Sequence, residues 1–599
     1  MKKKWFTGLV SVLLIVVAGF MNCTTASNTG TKWDETFDIV IVGAGIAGPL
    51  ATLGAYEANP NLKILLIEAT GLFGGGAARA TGIFNPNLIN ARNDMDLGRA
   101  YWRAYMTNTT GGGHTAATEV TAREYGSYEI PGFPNYPKWE EIIYEARVMY
   151  DYLIKPAAQG GVGASDPQYG GYDANGLVTY APTGEGGGML MRGIRTAIEA
   201  KSDSISLYLN CRGEALIMEN GIVAGVRATH NGQSKNIRAK KVILATGGFS
   251  GSYEGIAANG ATNPAIDDTM RYIKTQANTA SDGTGIQMAV DAGGVRLANT
   301  LIIGAGIQFT SGMHQAVGRA APGNPKAANA FYMVTFMGPQ PQLTSENFIV
   351  VDRDGNRFCD EGVLGIQMRG ANSPGSNRMI SHNKPPYWLI VPADTAGTAS
   401  ADPQGVPADN PAPRPRGGQG VNAGYQLSAA EIVAALDVAV NLTGEFTNEA
   451  FKAGSVAALG TAIGASNLAA TVTTYNTIVQ AAWNGTANAD AEANGGQGKA
   501  NNLLTNKIIS APGGSYYAVK IYPQTMGSFG GVATNGKCQV LNAANEVIPN
   551  LYAVGENANR DLYSINPTYG TTQVGGSSFT HYATMGWIAG SHAAANLNQ

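Results

Sequence analysis

The chain has 599 residues, of which 44% are hydrophobic and 14% charged, and its formal net charge is -3. That length exceeds the usual size of one hydrophobic core and predicts two domains. The near-neutral charge, with no basic run interleaved with aromatic residues after the N-terminus, argues against a nucleic-acid-binding surface. The 79 glycines indicate many tight turns and close backbone approaches rather than disorder.

The N-terminus has the pattern of an export signal. A short lysine run precedes an apolar stretch over residues 6–20, which is too short for a comfortable membrane span. Cys23 stands where a lipobox cysteine would be, although Asn22 replaces the usual small residue before it. Lipidation at Cys23 and signal cleavage near Ala26 without a lipid are the two alternatives for the exported form.

No metal or covalent haem site is predicted. The remaining cysteines, Cys211, Cys359 and Cys538, form neither a CxxC nor a CxxCH motif. The histidines show no ligand spacing either. Three widely separated cysteines are most simply explained as buried thiols.

The pattern along the chain predicts an α/β fold. An apolar strand starts at residue 37, runs into a glycine-rich turn and is followed by a helix, and a second strand covers residues 62–68. Further helices are predicted over residues 139–152, 189–200 and 428–440, the last capped by Ser428, and from about residue 580, with a meander of strands over 214–248.

The order of these patterns predicts an α/β domain interrupted by an inserted domain. Residues 1–26 are the export signal and 27–36 a polar tether. Residues 37–255 and 512–599 form the Rossmann-like domain, and residues 256–511 form the insertion.

A dinucleotide-binding motif follows the first strand. Gly43, Gly45 and Gly48 make the pattern GxGxxG. The first glycine permits the tight turn, the second lets the backbone approach a pyrophosphate, and the third lets helix and strand pack closely. Glu68, 20 residues past Gly48, ends the second strand, where an acid binds ribose hydroxyls.

Further glycine clusters follow in a specific order. They are FGGGAARATG over residues 73–82, ILATGGF over 243–249, LYAVGE over 551–556 and QVGGSSF over 573–579. With these clusters the chain resembles the flavoprotein family of fumarate reductases, soluble flavocytochromes c, urocanate reductases and 3-ketosteroid dehydrogenases. The resemblance covers most of residues 37–595 and includes SDGTGIQMAVDAGG, FIVVDRDGNRFCDE and PPYWLIVPAD.

The resemblance implies a Rossmann-like FAD-binding domain interrupted by an α+β capping domain. It implies one noncovalent FAD, because the family's covalent attachment histidine has no match in FGGGAARATG. FAD stays bound during turnover in this family, so an exported protein needs no soluble nicotinamide pool.

The resemblance also assigns cofactor contacts. In the family, the first glycine turn binds the pyrophosphate, and the acid at the position of Glu68 binds the ribose. The C-terminal clusters contact the ribityl chain and the isoalloxazine. The assigned residues are Gly43, Ala44, Gly45, Gly48, Glu68, Gly75, Thr81, Gly82, Ala215, Thr246, Gly247, Asp282, Gly283, Glu556, Gly576, Ser577 and Ser578.

The substrate positions depart from the family. Fumarate reductases place a proton-donating arginine seven residues after Phe358, where this chain has Gly365, and Gln573 replaces a carboxylate-binding arginine. The family's HPT histidine also lacks a match, with residues 307–312 in its place. A dicarboxylate needs fixed cations to offset desolvation, so fumarate itself is not the expected substrate.

Several residues are candidates for the missing catalytic acid. Arg369 lies four residues past Gly365, and Tyr569 precedes the flavin-contacting glycines. His314 and Arg560 lie near family substrate segments, as do Arg319 and Arg378. For each of them a structural role, such as a surface ion pair or a packed side chain, is the alternative.

The favoured function is an exported FAD-dependent oxidoreductase that reduces an activated C=C bond of an organic acid or related small molecule. Electrons would come from a separate cytochrome, quinol system or flavoprotein, because the chain has neither a haem motif nor an FMN domain. The protein would be periplasmic or in the cell envelope and touch the membrane only through an N-terminal lipid. The alternatives are a 3-ketosteroid-dehydrogenase-like enzyme and a non-catalytic flavin-binding electron carrier or surface protein.

Overall fold

The protein is described by a computed structural model. It describes residues 31–79, 136–163, 168–172, 178–181, 187–258, 274–275, 279–297, 301–310, 312–323, 327, 331, 348–358, 382, 384–393, 429–483, 508–511, 513–559, 562, 565–566, 570–571 and 577–599. The helices of this part are α1 (Ala47–Ala58), α2 (Tyr136–Ile154), α3 (Gly187–Glu199), α4 (Tyr253–Ala258), α5 (Thr284–Asp291), α6 (Met313–Ala320), α7 (Ala429–Val440), α8 (Val456–Ile463), α9 (Leu468–Trp483) and α10 (Ser577–Ala595).

The described strands form two large sheets and two small ones. They are β1 (Glu35–Val42), β2 (Ile64–Ile67), β3 (Gln168–Tyr172), β4 (Val178–Ala181), β5 (Ile205–Tyr208), β6 (Cys211–Glu219), β7 (Ile222–His230), β8 (Gln233–Leu244), β9 (Lys274–Thr275), β10 (Leu301–Gln308), β11 (Ile349–Val351), β12 (Tyr387–Ala393), β13 (Ala450–Ala453), β14 (Ser515–Phe529), β15 (Gln539–Leu541), β16 (Val547–Ala553), β17 (Ile565–Asn566) and β18 (Gly570–Thr571).

The first large sheet has a parallel centre in the order β16-β8-β1-β2-β5. Strand β15 pairs antiparallel with β16 at one edge, and the β6–β7 hairpin extends β8. The four residues of β2 and the last four of β1 are buried. Such continuous apolar runs are typical of parallel strands that are covered on both faces.

Helices α1 and α10 pack closely enough that the contact needs glycine. A Cβ atom at Gly590 would lie 1.9 Å from the backbone oxygen of Ala51, and one at Gly54 would lie 2.8 Å from that of Trp587. This close packing joins α1, which follows the first strand, to α10, the last helix of the chain.

The second large sheet has the order β10-β14-β12-β11, with β13 and β9 also paired to β14. Alternate residues of its strands face two separate cores, as the two-residue period of a strand requires. Tyr387, Leu389 and Val391 pack with Leu436 of α7 on one face. Trp388 and Ile390 pack with residues of α8 and α9 on the other face.

The predicted fold class is confirmed: the molecule is α/β, with a Rossmann-like parallel sheet and a second α+β unit. The predicted helices over 139–152 and 189–200 correspond to α2 and α3, and the meander corresponds to β6, β7 and β8. Ser428 lies outside the described residues. The proposed domain boundaries stay a prediction. No helix in the described part of the chain has the length and apolar character needed to cross a membrane.

Candidate functional site

Four parallel strands of the first sheet end at one edge, and each is followed within three residues by a predicted cofactor residue. Strand β1 leads to Gly43, β2 to Glu68, β8 to Thr246 and β16 to Glu556. In open α/β sheets, ligands bind in the crevice outside the carboxyl ends of the strands. The fold therefore brings together residues that are more than 500 positions apart in the chain.

The glycine turn after β1 has no room for side chains at two of its three glycines. Gly43 has φ of 108°, and a Cβ there would lie 2.4 Å from the backbone oxygen of Ala245. A Cβ at Gly48 would lie 1.8 Å from the backbone oxygen of Gly43. A Cβ at Gly45, by contrast, would meet no protein atom within 4 Å. That open side is where a ligand can approach the backbone.

The first turn of α1 follows this glycine turn. Its N-cap residue, Ile46, makes no side-chain capping hydrogen bond, and the first turn carries no acidic residue. The N–H groups of such a helix end, together with the helix dipole, favour an anion. This arrangement fits a pyrophosphate.

Hydrogen bonds from two neighbouring residues hold the carboxylate of Glu68 in a fixed orientation. Its side chain is 5% exposed. Oε2 accepts a 2.9 Å hydrogen bond from the N–H of Ala44, and Oε1 accepts two bonds of 2.9 Å from the N–H and the hydroxyl of Thr70. Gly75 lies beside the same turn, because a Cβ there would be 3.3 Å from the Cα of Gly45. The acid, the phosphate turn and the second glycine cluster therefore form one cradle.

Asp282 and Gly283 lie at the start of α5. The carboxylate of Asp282 accepts hydrogen bonds from Thr284 and from Arg212 of β6, the latter at 2.5 Å. Burial acts to raise the pKa of Asp282, but the bonds from Thr284 and the Arg212 guanidinium outweigh it and lower the pKa. The N–H of Gly283 donates to the carbonyl oxygen of Gly248, which links this turn to the end of β8.

Glu556 lies at the other end of the cradle, where the two large sheets meet. Its Oε2 accepts 3.1 Å bonds from both the N–H and the hydroxyl of Ser528, which is near the end of β14. Complete burial raises the pKa of Glu556 to about 7, although bonds from Ser528 and from the N–H of Gly248 act against the rise. A carboxyl group with this pKa exchanges its proton near neutral pH.

The sequence analysis missed a buried amide network beside Glu556. The side chains of Asn557 and Thr246 share a 3.0 Å hydrogen bond. Asn559 accepts from the N–H of Gly530 at 2.9 Å and donates to the Ser528 carbonyl at 2.8 Å and the Tyr582 hydroxyl at 2.7 Å. Applying to β16 the strand-end rule used for β1 and β2 would have found both asparagines.

The other predicted cofactor residues are placed only in part. Gly247 follows Thr246 at the end of β8, with φ of 79°, and Ala215 lies on β6. Ser577 and Ser578 begin α10, but their side chains lie outside the described residues. Thr81, Gly82 and Gly576 lie outside them entirely.

Of the candidate catalytic residues, only His314 is described, together with the looser candidate Arg319. Both lie on α6 in the second unit, and burial lowers the pKa of His314. Arg369, Tyr569 and Arg560 lie outside the described residues, as do Gly365, Arg378 and Gln573.

A buried carboxylate that the sequence analysis missed adjoins the segment over residues 307–312. Glu449 accepts a hydrogen bond from the hydroxyl of Thr310 and another, of 2.7 Å, from that of Tyr522. Lys520 forms a 2.8 Å ion pair with the same carboxylate. No local sequence pattern predicts this cluster, because its members come from three separate segments of the chain.

The fold and the site together define a dinucleotide-binding protein of the flavoprotein type. The open glycine turn, the uncapped helix end and the oriented acid all fit an adenine dinucleotide, and the cradle continues past the pyrophosphate turn to Glu556. Residues 38–572 match the family described as FAD binding domain, and the chain belongs to that family. Its cofactor is FAD, and the protein is a flavin-dependent oxidoreductase.

Two curated relatives illustrate the similarity. The chain is 23% identical over 575 residues to a fumarate reductase (cytochrome) from Shewanella frigidimarina, covering 94% of this chain and 77% of that protein. It is also 23% identical over 571 residues to a urocanate reductase from Eggerthella lenta, covering 93% of this chain and 74% of that protein.

Two solved structures share the fold. The open conformation of a flavocytochrome c3 fumarate reductase matches with a TM-score of 0.55 and 19% identity, over 100% of this chain and 83% of that one. A 3-ketosteroid delta1-dehydrogenase from Sterolibacterium denitrificans matches with a TM-score of 0.59 and 16% identity, over 94% of this chain and 100% of that one.

Proposed function

We propose that the protein is an exported FAD-dependent reductase that adds hydrogen across an activated C=C bond of an organic acid or related compound. One observation carries the proposal: Ser528 of β14, a strand of the second sheet, hydrogen-bonds Glu556 at the end of the cradle that is remote from Glu68. A substrate held between the two sheets would therefore face the flavin end. The names of the fumarate and urocanate reductases support this reaction class.

Bound FAD supplies hydride transfer at its N5 atom. The chain must then hold the cofactor, exclude water and supply the second proton from a pocket acid. Burial favours the neutral imidazole of His314, which makes that residue a poor proton store at neutral pH. We therefore place Arg369, Tyr569 and Arg560 ahead of His314 as candidates for the acid.

The substrate is expected to differ from fumarate. Gly365 and Gln573 stand where the resemblance expects a proton-donating and a carboxylate-binding arginine. Loss of a catalytic acid alone typically costs roughly 10²–10⁴-fold in rate. We therefore propose a substrate that is larger than fumarate or carries fewer carboxylates, with electrons delivered by a separate carrier in the cell envelope. Attachment through a lipid on Cys23 is part of this proposal.

Reoxidation of the reduced flavin tests the function. The FAD-loaded protein is photoreduced without oxygen and mixed with a panel of α,β-unsaturated acids, fumarate and 3-ketosteroids, and flavin absorbance is followed. We expect fast reoxidation by an unsaturated acid other than fumarate. Reoxidation by none of the panel, but by an external cytochrome, would favour the electron carrier instead. Fast fumarate turnover that Arg369→Ala abolishes would refute the substrate proposal and identify Arg369 as the acid.

A further inference from the structure

A lysine is completely buried beside the cradle. Lys138, on α2, has no exposed surface, and its ammonium group donates a hydrogen bond to the backbone oxygen of Ala558. Ala558 stands between Asn557 and Asn559, the two members of the buried amide network. A charged group buried in a region of low dielectric constant acts strongly on the electrostatic potential around it, here beside the cradle.

The positive charge of Lys138 affects a neighbouring histidine. His581, on the second turn of α10, is also fully buried. Burial, together with the positive charge of Lys138, holds the pKa of His581 well below its usual range. The imidazole of His581 is therefore neutral at neutral pH and adds no positive charge beside Lys138.

The order of the strands indicates which half of a bound FAD would lie near Lys138. Glu68 follows β2 and marks the adenosine half, and the glycine turn follows β1 and marks the pyrophosphate. The flavin half of a bound FAD would therefore continue in the opposite direction, past β8 to β16. Strand β16 lies two strands from β1, about 10 Å away, and the segment that carries Ala558 comes directly after β16.

We propose that Lys138 is the buried cation that offsets the negative charge gained by the bound flavin on reduction. Two electrons and one proton convert FAD into the anionic reduced form FADH⁻, so the ring system becomes more negative by one charge. A fixed cation in a site of low dielectric constant stabilises the reduced form more than the oxidised form. Lys138 therefore raises the reduction potential of the flavin and favours electron uptake from the carrier.

The midpoint potential of bound FAD tests this role without any substrate. The potential is measured at pH 7 by equilibration of the reduced protein with a redox dye of known potential. In Lys138→Met we expect the two-electron equilibrium to shift at least tenfold toward oxidised FAD, which corresponds to 29.6 mV. Lys138→Arg keeps the positive charge, so its two-electron equilibrium constant should stay within about threefold of the wild-type value.

Lys241 provides a matched control. It is also buried, at 4% exposure, but its Nζ bonds the side chain of Asn550 at 2.9 Å. It pairs in register with Ile39, three residues before β1 ends and away from the cradle edge. We expect Lys241→Met to leave the potential unchanged.

Three results would overturn the proposal. The first is a wild-type potential in Lys138→Met, and the second is an equal shift in Lys241→Met. If Lys138→Met does not retain FAD, Lys138→Gln, whose amide can still donate to Ala558, carries the same test. Loss of FAD from both uncharged variants, the third result, would make Lys138 a structural anchor. None of these outcomes depends on which substrate the enzyme reduces.

Discussion

The two large sheets encode their functional residues differently. At the edge of the first sheet, the predicted cofactor residues Gly43, Gly45 and Glu68 each lie within three residues of a strand end. In the second sheet, Glu449 collects partners 139 and 71 positions away, namely Thr310 and Lys520. Each motif of the cofactor cradle is thus local in sequence, whereas the Glu449 cluster exists only after long-range strand pairing.

The largest expected effect is on the free energy of unfolding, and it should differ between two glycines of the same turn. Gly48→Ala should lower the free energy of unfolding by about 3 kcal/mol or more, because its Cβ would overlap the Gly43 carbonyl. Gly45→Ala should leave unfolding nearly unchanged and weaken FAD binding, since its side faces open space. Denaturation of the apoprotein and FAD titration measure the two effects. Equal loss of stability in both variants would contradict the backbone account.

A change in the second sheet should leave the cofactor in place. Glu449→Ala should lower the free energy of unfolding by about 3 kcal/mol, because Lys520 loses its buried carboxylate. Glu445→Ala, at an exposed position in the preceding turn, is the control and should cost less than about 0.5 kcal/mol. FAD content after purification should be the same in both. A selective loss of FAD in Glu449→Ala would break the proposed separation of the two sheets.

The same difference explains which parts of the structure could be predicted from the sequence. The parallel core and the turn after β1 were predictable, since glycine spacing and apolar runs are local properties. His382 was given no role, yet its Nε2 lies 2.8 Å from the fully buried carboxylate of Asp352 and its ring stacks on Phe358 at 4.3 Å. Neither that pair nor the bond of Lys138 to Ala558, 420 positions away, leaves a local pattern.

Glu68 tests the adenosine end of the cradle. Glu68→Ala should weaken FAD binding by roughly 1–3 kcal/mol, the scale of hydrogen bonds to a charged group. Thr70→Val removes one bond that orients the carboxylate and should have a smaller effect of about 1 kcal/mol. Fluorescence titration of the apoproteins with FAD measures both. An unchanged affinity for FAD in Glu68→Ala would show that Glu68 does not bind the ribose.

The smallest effect concerns acid stability in the second sheet. Burial acts to raise the pKa of Asp352, but bonds from His382 and from the N–H groups of Asn356 and Asp354 outweigh it and lower the pKa from its usual value. A carboxyl group with a lowered folded-state pKa stabilises the protein above its unfolded pKa, and this contribution is lost as pH falls through the folded pKa. The stability advantage of the wild type over Asp352→Asn should therefore be full at pH 6 and shrink below about pH 4. Urea denaturation across this range checks the trend, and an advantage that grows on acidification would contradict it.

Release of the cofactor by acid tests the central claim most directly, namely that backbone turns and Glu68 hold FAD without a covalent bond. The purified protein is precipitated with acid, and the flavin in the supernatant is identified and counted against the chain. We predict one FAD per chain, all of it in the supernatant. Flavin that stays with the pellet, or FMN in place of FAD, would contradict the account.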